Sequence, residues 1–370
     1  IPSRSISSGS ITTPQTPYYR YMLGEMTGLT ATVRLGNDGL LVDFLSEWKE
    51  DSLYVQAYRA NAGKPGRGAK LVARLPNREP VLTVGAAPER GEAGLALEMK
   101  RVEGILASPL TEKLSKAGRQ RVRKLTRRLA EAVDRWQFVV GAGPDGGGLI
   151  GTALVLEGTS AKAIRGVLAD LPAELNAIYK AQVGEGEGVP PDWPRLVWRE
   201  GLETVGDMKA DVLEVQHPHL LALDEEARRH MNTLLGEDKV RVLVAAPDAA
   251  TVVLTLTGGT PFLAEALKAA WRGGGIDGDA NVRAALRQLP DGASTLGLFS
   301  EANVFALLKR IHRQTEGGEW QVPFAFNCPV PAAYGSAAEG PAKHGVIFIP
   351  QGILRDMAAP YVMMRQGGGF

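Results

Sequence analysis

The chain has 370 residues, 44% of them hydrophobic and 22% charged, with a formal net charge of +1. These values exclude wholesale disorder and any global electrostatic pull toward nucleic acid or membrane, so such an attraction would have to be local. The single cysteine, Cys328, excludes an internal disulfide and a cysteine-based zinc cluster.

Residues 1–17 read as a linker-like segment. The stretch 3–17 is rich in Ser, Thr and Pro and lacks apolar periodicity, as a linker following a removed signal peptide or a membrane anchor would be. No apolar run approaches the ~20 residues of a spanning helix. Arg20-Tyr21-Met22 opens a short helical stretch. Residues 29–35 and 40–45 then alternate on either side of Asn37-Asp38-Gly39, which predicts a β-hairpin. Helices are expected over 52–60 and 68–75, the second stopped by Pro76. Leu82 and Val84 mark a strand. A helix spans 112–136, an extended segment beginning at Trp136-Gln137 pairs with 149–156, and a helix over 160–171 closes the series.

The same order then returns. Arg229-His230-Met231 ends a helix, and 240–246 and 251–256 flank Pro247-Asp248 as a second hairpin. Helices over 261–271 and 280–289 follow, the latter stopped by Pro290. Leu296 and Leu298 mark a strand, Trp320-Gln321 begins an extended segment that pairs with 346–349, and 353–364 closes as a helix. The fold class read from this is α+β: two diverged copies of a helix-hairpin-helix-helix-strand-helix-hairpin-helix unit, with antiparallel sheets each covered on one side by helices. The first copy is 18–183 and the second 223–370. Residues 184–222, with Gly184-Glu185-Gly186-Glu187-Gly188, Pro190-Pro191 and a strand-like 210–216, form the connector.

The alternation of Gly/Asp hairpins with Leu-Pro-terminated helices, and the ending His344-Gly345-Val346-Ile347-Phe348-Ile349-Pro350, resembles large exported proteins of bacteria, planctomycetes among them. The resemblance covers most of the chain and implies export; it carries over no active site.

Candidate chemistry is sparse. Gly141-Ala142-Gly143-Pro144-Asp145-Gly146 matches the glycine fingerprint of dinucleotide sites, but a helix should follow and a β-branched apolar run follows instead, so the glycines are expected to turn a hairpin. His217 and His219, with His230 and Asp224-Glu225-Glu226 nearby, are the densest potential metal ligands, though Pro218 between them restricts the backbone and ordinary capping explains them better. Lys113, Lys116, Arg119, Arg121, Arg123, Lys124, Arg127 and Arg128 lie on an amphipathic helix whose basic face is a candidate partner surface, for an anionic surface or an acidic protein. No aromatic platform interleaves with them, and no specific nucleic acid is expected. Cys328 sits in a loop, and Asp207, Asp211 and Glu214 read as the charged face of a strand. No nucleophile elbow or His-Glu-x-x-His helix occurs. These readings point to no catalytic residues and no cofactor. The expected function is a non-enzymatic extracytoplasmic structural or binding protein in a larger envelope or surface assembly, its partner another protein or itself. Two alternatives stand beside it: a hydrolase with its site between the halves, and a carrier of an apolar ligand.

Overall fold

The computed structural model describes residues 17–61, 68–107, 114–183, 195–216, 223–237, 239–318, 320 and 325–366. Helix α1 (Pro17–Glu25) runs into the hairpin of β1 (Met26–Leu35) and β2 (Gly39–Trp48), and α2 (Leu53–Asn61) follows. A single 3-10 turn at Gly68–Leu71 precedes β3 (Leu82–Ala86), which leads to α3 (Gly91–Leu106) and α4 (Lys116–Ala132). Next come β4 (Val133–Ala142), β5 (Ile150–Gly158) and α5 (Ala161–Val183). The segment read as a connector supplies a hairpin, β6 (Arg195–Val205) and β7 (Met208–Gln216). The remainder is α6 (Glu225–Leu235), β8 (Val240–Ala245), β9 (Thr251–Thr257), α7 (Gly259–Arg272), a 3-10 turn at Ile276–Gly278, α8 (Ala280–Leu286), β10 (Thr295–Phe299), α9 (Glu301–Thr315), β11 (Ala332–Glu339), β12 (Ala342–Pro350) and α10 (Gln351–Gln366).

Several helix starts follow ordinary capping chemistry. The side chains of Ser115, Asp224 and Ser300 accept the amides of Gly118, Ala227 and Asn303, and α6 stops at Gly236 in the left-handed conformation. Several boundaries differ from expectation. The helix expected through Trp136 ends at Ala132, because residues 133–142 also alternate and are drawn into the ladders offered by β3 and β5. Helix α5 continues past Leu171 through Pro172; Ile164, Leu168, Pro172 and Ile178 are all buried, and that burial offsets the missing amide. Trp320 itself is in no strand, and 321–324 lie outside the described residues. It stacks on Phe305 of α9 with ring centroids 5.9 Å apart, and the strand that pairs with β12 starts at Ala332.

The strands form one twelve-stranded antiparallel sheet where two sheets were expected, in the order β1-β2-β12-β11-β10-β3-β4-β5-β9-β8-β7-β6. The early hairpin β1–β2 lies on the late strand β12, and the late hairpin β8–β9 lies on the early strand β5. Strands β3 and β10 join the two parts at the centre. The tie is repeated beyond the ladders: the Gln351 amide that opens α10 donates to the Asp38 carbonyl in the first hairpin turn (2.9 Å), and the Ala161 amide that opens α5 donates to the Ala249 carbonyl in the second (2.7 Å).

Helices cover both faces of the sheet, not one. Val252 and Val253 are adjacent on β9, fully buried, and belong to different apolar clusters, as a strand covered on both sides requires. One cluster gathers Phe262 and Leu263 of α7 with Leu71, Val155, Leu296 and Phe348; the other gathers Ile164 and Leu168 of α5 with Leu156 and Val244. A third, smaller cluster joins Trp48, Tyr54, Val55, Tyr58 and Leu97.

Because each hairpin is seated on the other half's strands, neither half retains a continuous sheet alone. Residues 1–216 and 217–370, produced separately, should each lack a cooperative thermal transition and native near-UV circular dichroism, and should regain both on mixing. A native-like transition from either piece by itself would refute this account.

Candidate functional site

Helix α3 packs chiefly on other helices, α2, α4 and α1, and so forms a tier above the strands. Between that tier and the sheet lies a cleft of about 870 Å³, within the range of small-ligand sites. Its floor is Ala86 of β3, Trp136 of β4 and Leu154 and Leu156 of β5; its walls are Leu95 and Leu97 of α3 and Leu129 and Ala130 of α4, with Tyr58 of α2 alongside. The chain enters α3 through Gly91, whose φ of +85° is open to glycine at little cost. Gly94 lets the first turn of α3 come against the Glu89 carbonyl, where a side chain would clash.

Two arginines that line the cleft are tied back into the protein. Arg90 donates to the Ala130 carbonyl (2.8 Å) and pairs with Asp134, so it binds the loop before α3 to the C-terminal end of α4; burial draws its pKa down. Burial also acts to lower Arg101, but the Tyr18 hydroxyl (3.1 Å) and Glu98 (2.9 Å) outweigh it and hold the guanidinium charged. Burial pushes the Tyr58 hydroxyl above its ordinary value, so it remains neutral. Leu129 is the apolar side chain that reaches furthest into solvent, at 37% exposure, and marks the mouth. The sequence pattern did not reveal this site. Its signal, the apolar spacing of Leu95, Leu97 and Val102 behind a Gly91/Gly94 pair, lies in a helix that was not recognised.

The basic face of α4 is largely engaged within the molecule. Arg121 pairs with Glu174 (2.9 Å) and Arg128 with Asp170 (2.7 Å), both on α5, while Arg123 makes a two-pronged pair with Glu103 on α3 (2.5 and 2.8 Å). Arg119 donates to the carbonyls of Leu114 (3.0 Å) and Leu106 (2.9 Å). Lys116, Lys124 and Arg127 make no ion pair among the described residues. Lys113 lies outside the described residues, as do His217 and His219. His230 is exposed on α6, and among the described residues no three His, Cys, Asp or Glu side chains converge as metal ligands.

The carboxylates read as one strand face separate. Asp211 is buried and accepts from Arg165 (2.6 Å) and the Gly201 amide (2.9 Å), Glu214 faces Arg199 (3.4 Å), and Asp207 sits in the β6–β7 turn. Cys328 packs its sulfur against Gly352, and its amide donates to Asp356 (3.0 Å). The glycine run 141–146 ends β4 and turns toward β5, as its sequence suggested. It lines a second, polar cavity of about 670 Å³ with Arg78, Glu79, Asn232, Thr233 and Arg310. Arg78 there is paired with Glu265 (2.9 Å) and Arg310 with Glu79 (2.7 Å), and the lining residues include no His, Cys, Ser or Lys.

No protein-family model matches the chain, and no curated protein matches it. Among solved structures it is similar to one described as crystal form III of TP0453, with a TM-score of 0.29 and 8% identity over 78% of this chain and 85% of that one. A likeness of that size says nothing of fold or function.

The Arg123–Glu103 pair is solvent-exposed, so Arg123→Ala should cost no more than about 1 kcal/mol at neutral pH. Hydrogen bonding from Arg123 holds the Glu103 carboxyl below its ordinary 4.5. The contribution is therefore complete above that pH and fades as pH falls through the lower, folded-state value. Urea melts of wild type and Arg123→Ala should differ at pH 7 and draw together as the pH is lowered below 4.5; a constant difference would show that the arginine acts through packing.

Proposed function

We propose that this protein is a non-catalytic binding protein that holds the apolar part of a small amphipathic molecule in the cleft beneath α3 and α4. The observation that supports this most directly is the cleft itself, about 870 Å³ with an apolar floor of Ala86, Trp136, Leu154 and Leu156 facing Leu95, Leu97 and Leu129. Water in such a space gains few hydrogen bonds, whereas a hydrocarbon chain removes roughly 25 cal/mol of unfavourable hydration per Å² buried. The self-contained pairing of Arg90 and Arg101 makes them walls rather than catalysts. The polar cavity supports the hydrolase reading less, because both of its arginines are already paired.

Two broader readings accompany this one. The Ser/Thr/Pro-rich stretch 3–17 supports an extracytoplasmic setting. The strand order supports an origin by duplication, since outward from the β3–β10 seam each side runs single strand, hairpin, then a hairpin borrowed from the other half. Homologues in which one hairpin seats on its own half would argue against that origin.

A dansyl-labelled fatty acid titrated into delipidated protein should brighten and saturate at one equivalent. Leu129→Trp, made from the mouth so as to fill the cleft, should weaken that binding at least about tenfold while leaving the melting temperature within ~3 °C. Equal affinity in the variant and wild type would remove the proposal, as would no saturable binding in the wild type.

A further inference from the structure

The two edges of the sheet are finished differently. Strand β6 carries Arg195, Arg199, Glu200 and Glu203, and its pairing with β7 shifts register between Arg199 and Glu203. Charges and a mid-strand irregularity are how natural edges discourage another strand from pairing. Strand β1 has neither device along its outer length. Its register is regular from Gly28 to Leu35, and its one charged residue, Arg34, is occupied by Asp43 (2.6 Å).

The place that β1 holds in the strand order is held on the other side by β8, and the outer edge of β8 is taken by β7 with Asp211 opposite Val244. Among the described residues β1 has no such neighbour. It is also exposed on both faces: on one, Leu29, Val33 and Leu35 are 62%, 66% and 76% accessible, and on the other Thr30, Thr32 and Arg34 are exposed. This concentrates exposed apolar side chains in one short stretch of chain, which marks an association surface.

We propose that a second copy of this chain occupies the edge, β1 against β1, extending the sheet across a two-fold axis. The sequence of β1 is self-complementary in that arrangement. With Ala31 opposite Ala31 of the second copy, Leu29 meets Val33, Thr30 meets Thr32, and Arg34 meets Gly28. The first two are favourable cross-strand pairs, and the third keeps the two arginines apart with room for each side chain. A two-fold contact needs one patch that matches itself, which a site for an unrelated peptide would not.

Analytical ultracentrifugation of the full chain should show a reversible dimer. Val33→Lys sets a charge against Leu29 of the second copy in each of the two apolar pairs and should raise the dissociation constant by about tenfold or more. Val33 is exposed, so the variant should keep the wild-type circular dichroism and melting temperature. Leu29→Glu combined with Val33→Lys puts Glu opposite Lys in the second copy and should restore dimerisation. A wild-type monomer at all concentrations would overturn the proposal, and so would a dimer indifferent to Val33→Lys. Failure of the double variant to recover would overturn the stated register.

Discussion

The pairings that carry the architecture are those between distant parts of the chain: β2 on β12, β10 on β3, and β9 on β5. Each joins residues that only a collapsed chain brings together, so the entropy of closing long loops must be met before the ladders form. A buried polar network strengthens one of these joints. Glu157 on β5, opposite Thr251 of β9, accepts from Arg135 and Gln137 (both 2.7 Å), with Arg74 at 3.5 Å. Arg74 also donates to the Thr251 hydroxyl (2.7 Å), and its amide donates to the Gln137 side chain (3.1 Å). The segment after the first 3-10 turn is thereby fixed to β4, β5 and β9 at once. Because every member has a partner, the network specifies register as well as adding stability.

Covering the sheet on both faces settles where a cavity can exist. The cluster under α7 and the one under α5 interdigitate with the strands, and space there would cost stability directly. Helix α3 is differently placed. It belongs with α1 and α2 in a cluster of its own, where Trp48 stacks on Tyr54 at 3.9 Å and the Tyr54 hydroxyl donates to that of Tyr18 (3.0 Å). A helix held mainly by other helices can stand off the strands, and the space beneath it, bordered by Leu156 at the margin of the α5 cluster, is available to a ligand.

Much of the fold was legible because hairpins and capped helices announce themselves locally. Asn37-Asp38-Gly39 and Pro247-Asp248 sit between alternating runs, and both turns are where the pattern placed them. What could not be read was set by partners. Residues 332–339 are mostly Ala, Gly and Ser, a poor strand composition, yet they form β11 because β10 and β12 flank them and Gly335 admits Leu289. The single sheet was hidden for the same reason: nothing local in 40–45 says that its neighbour is 342–350. The cleft was illegible because it depends on α3 standing on α2 and α4, a tertiary fact, while the basic residues of α4 drew attention to a face whose arginines are largely occupied by α3 and α5.

One displacement accounts for both the cleft and the bare edge. Helices α2 and α7 each follow the second strand of a hairpin, but they go to different places. Helix α7 lies down on β9, β5 and β8, and Phe262, Leu263 and Ala266 close that end of the sheet. Helix α2 rises to α3, where Tyr54 and Tyr58 complete the aromatic cluster and Tyr58 borders the cleft. It meets β2 only at Trp48 and does not cover β1. Strand β1 is therefore left exposed on both faces, and among the described residues no second hairpin like β6–β7 finishes its edge. The tier that creates space for a ligand is thus built from the helix whose absence leaves β1 open to another strand.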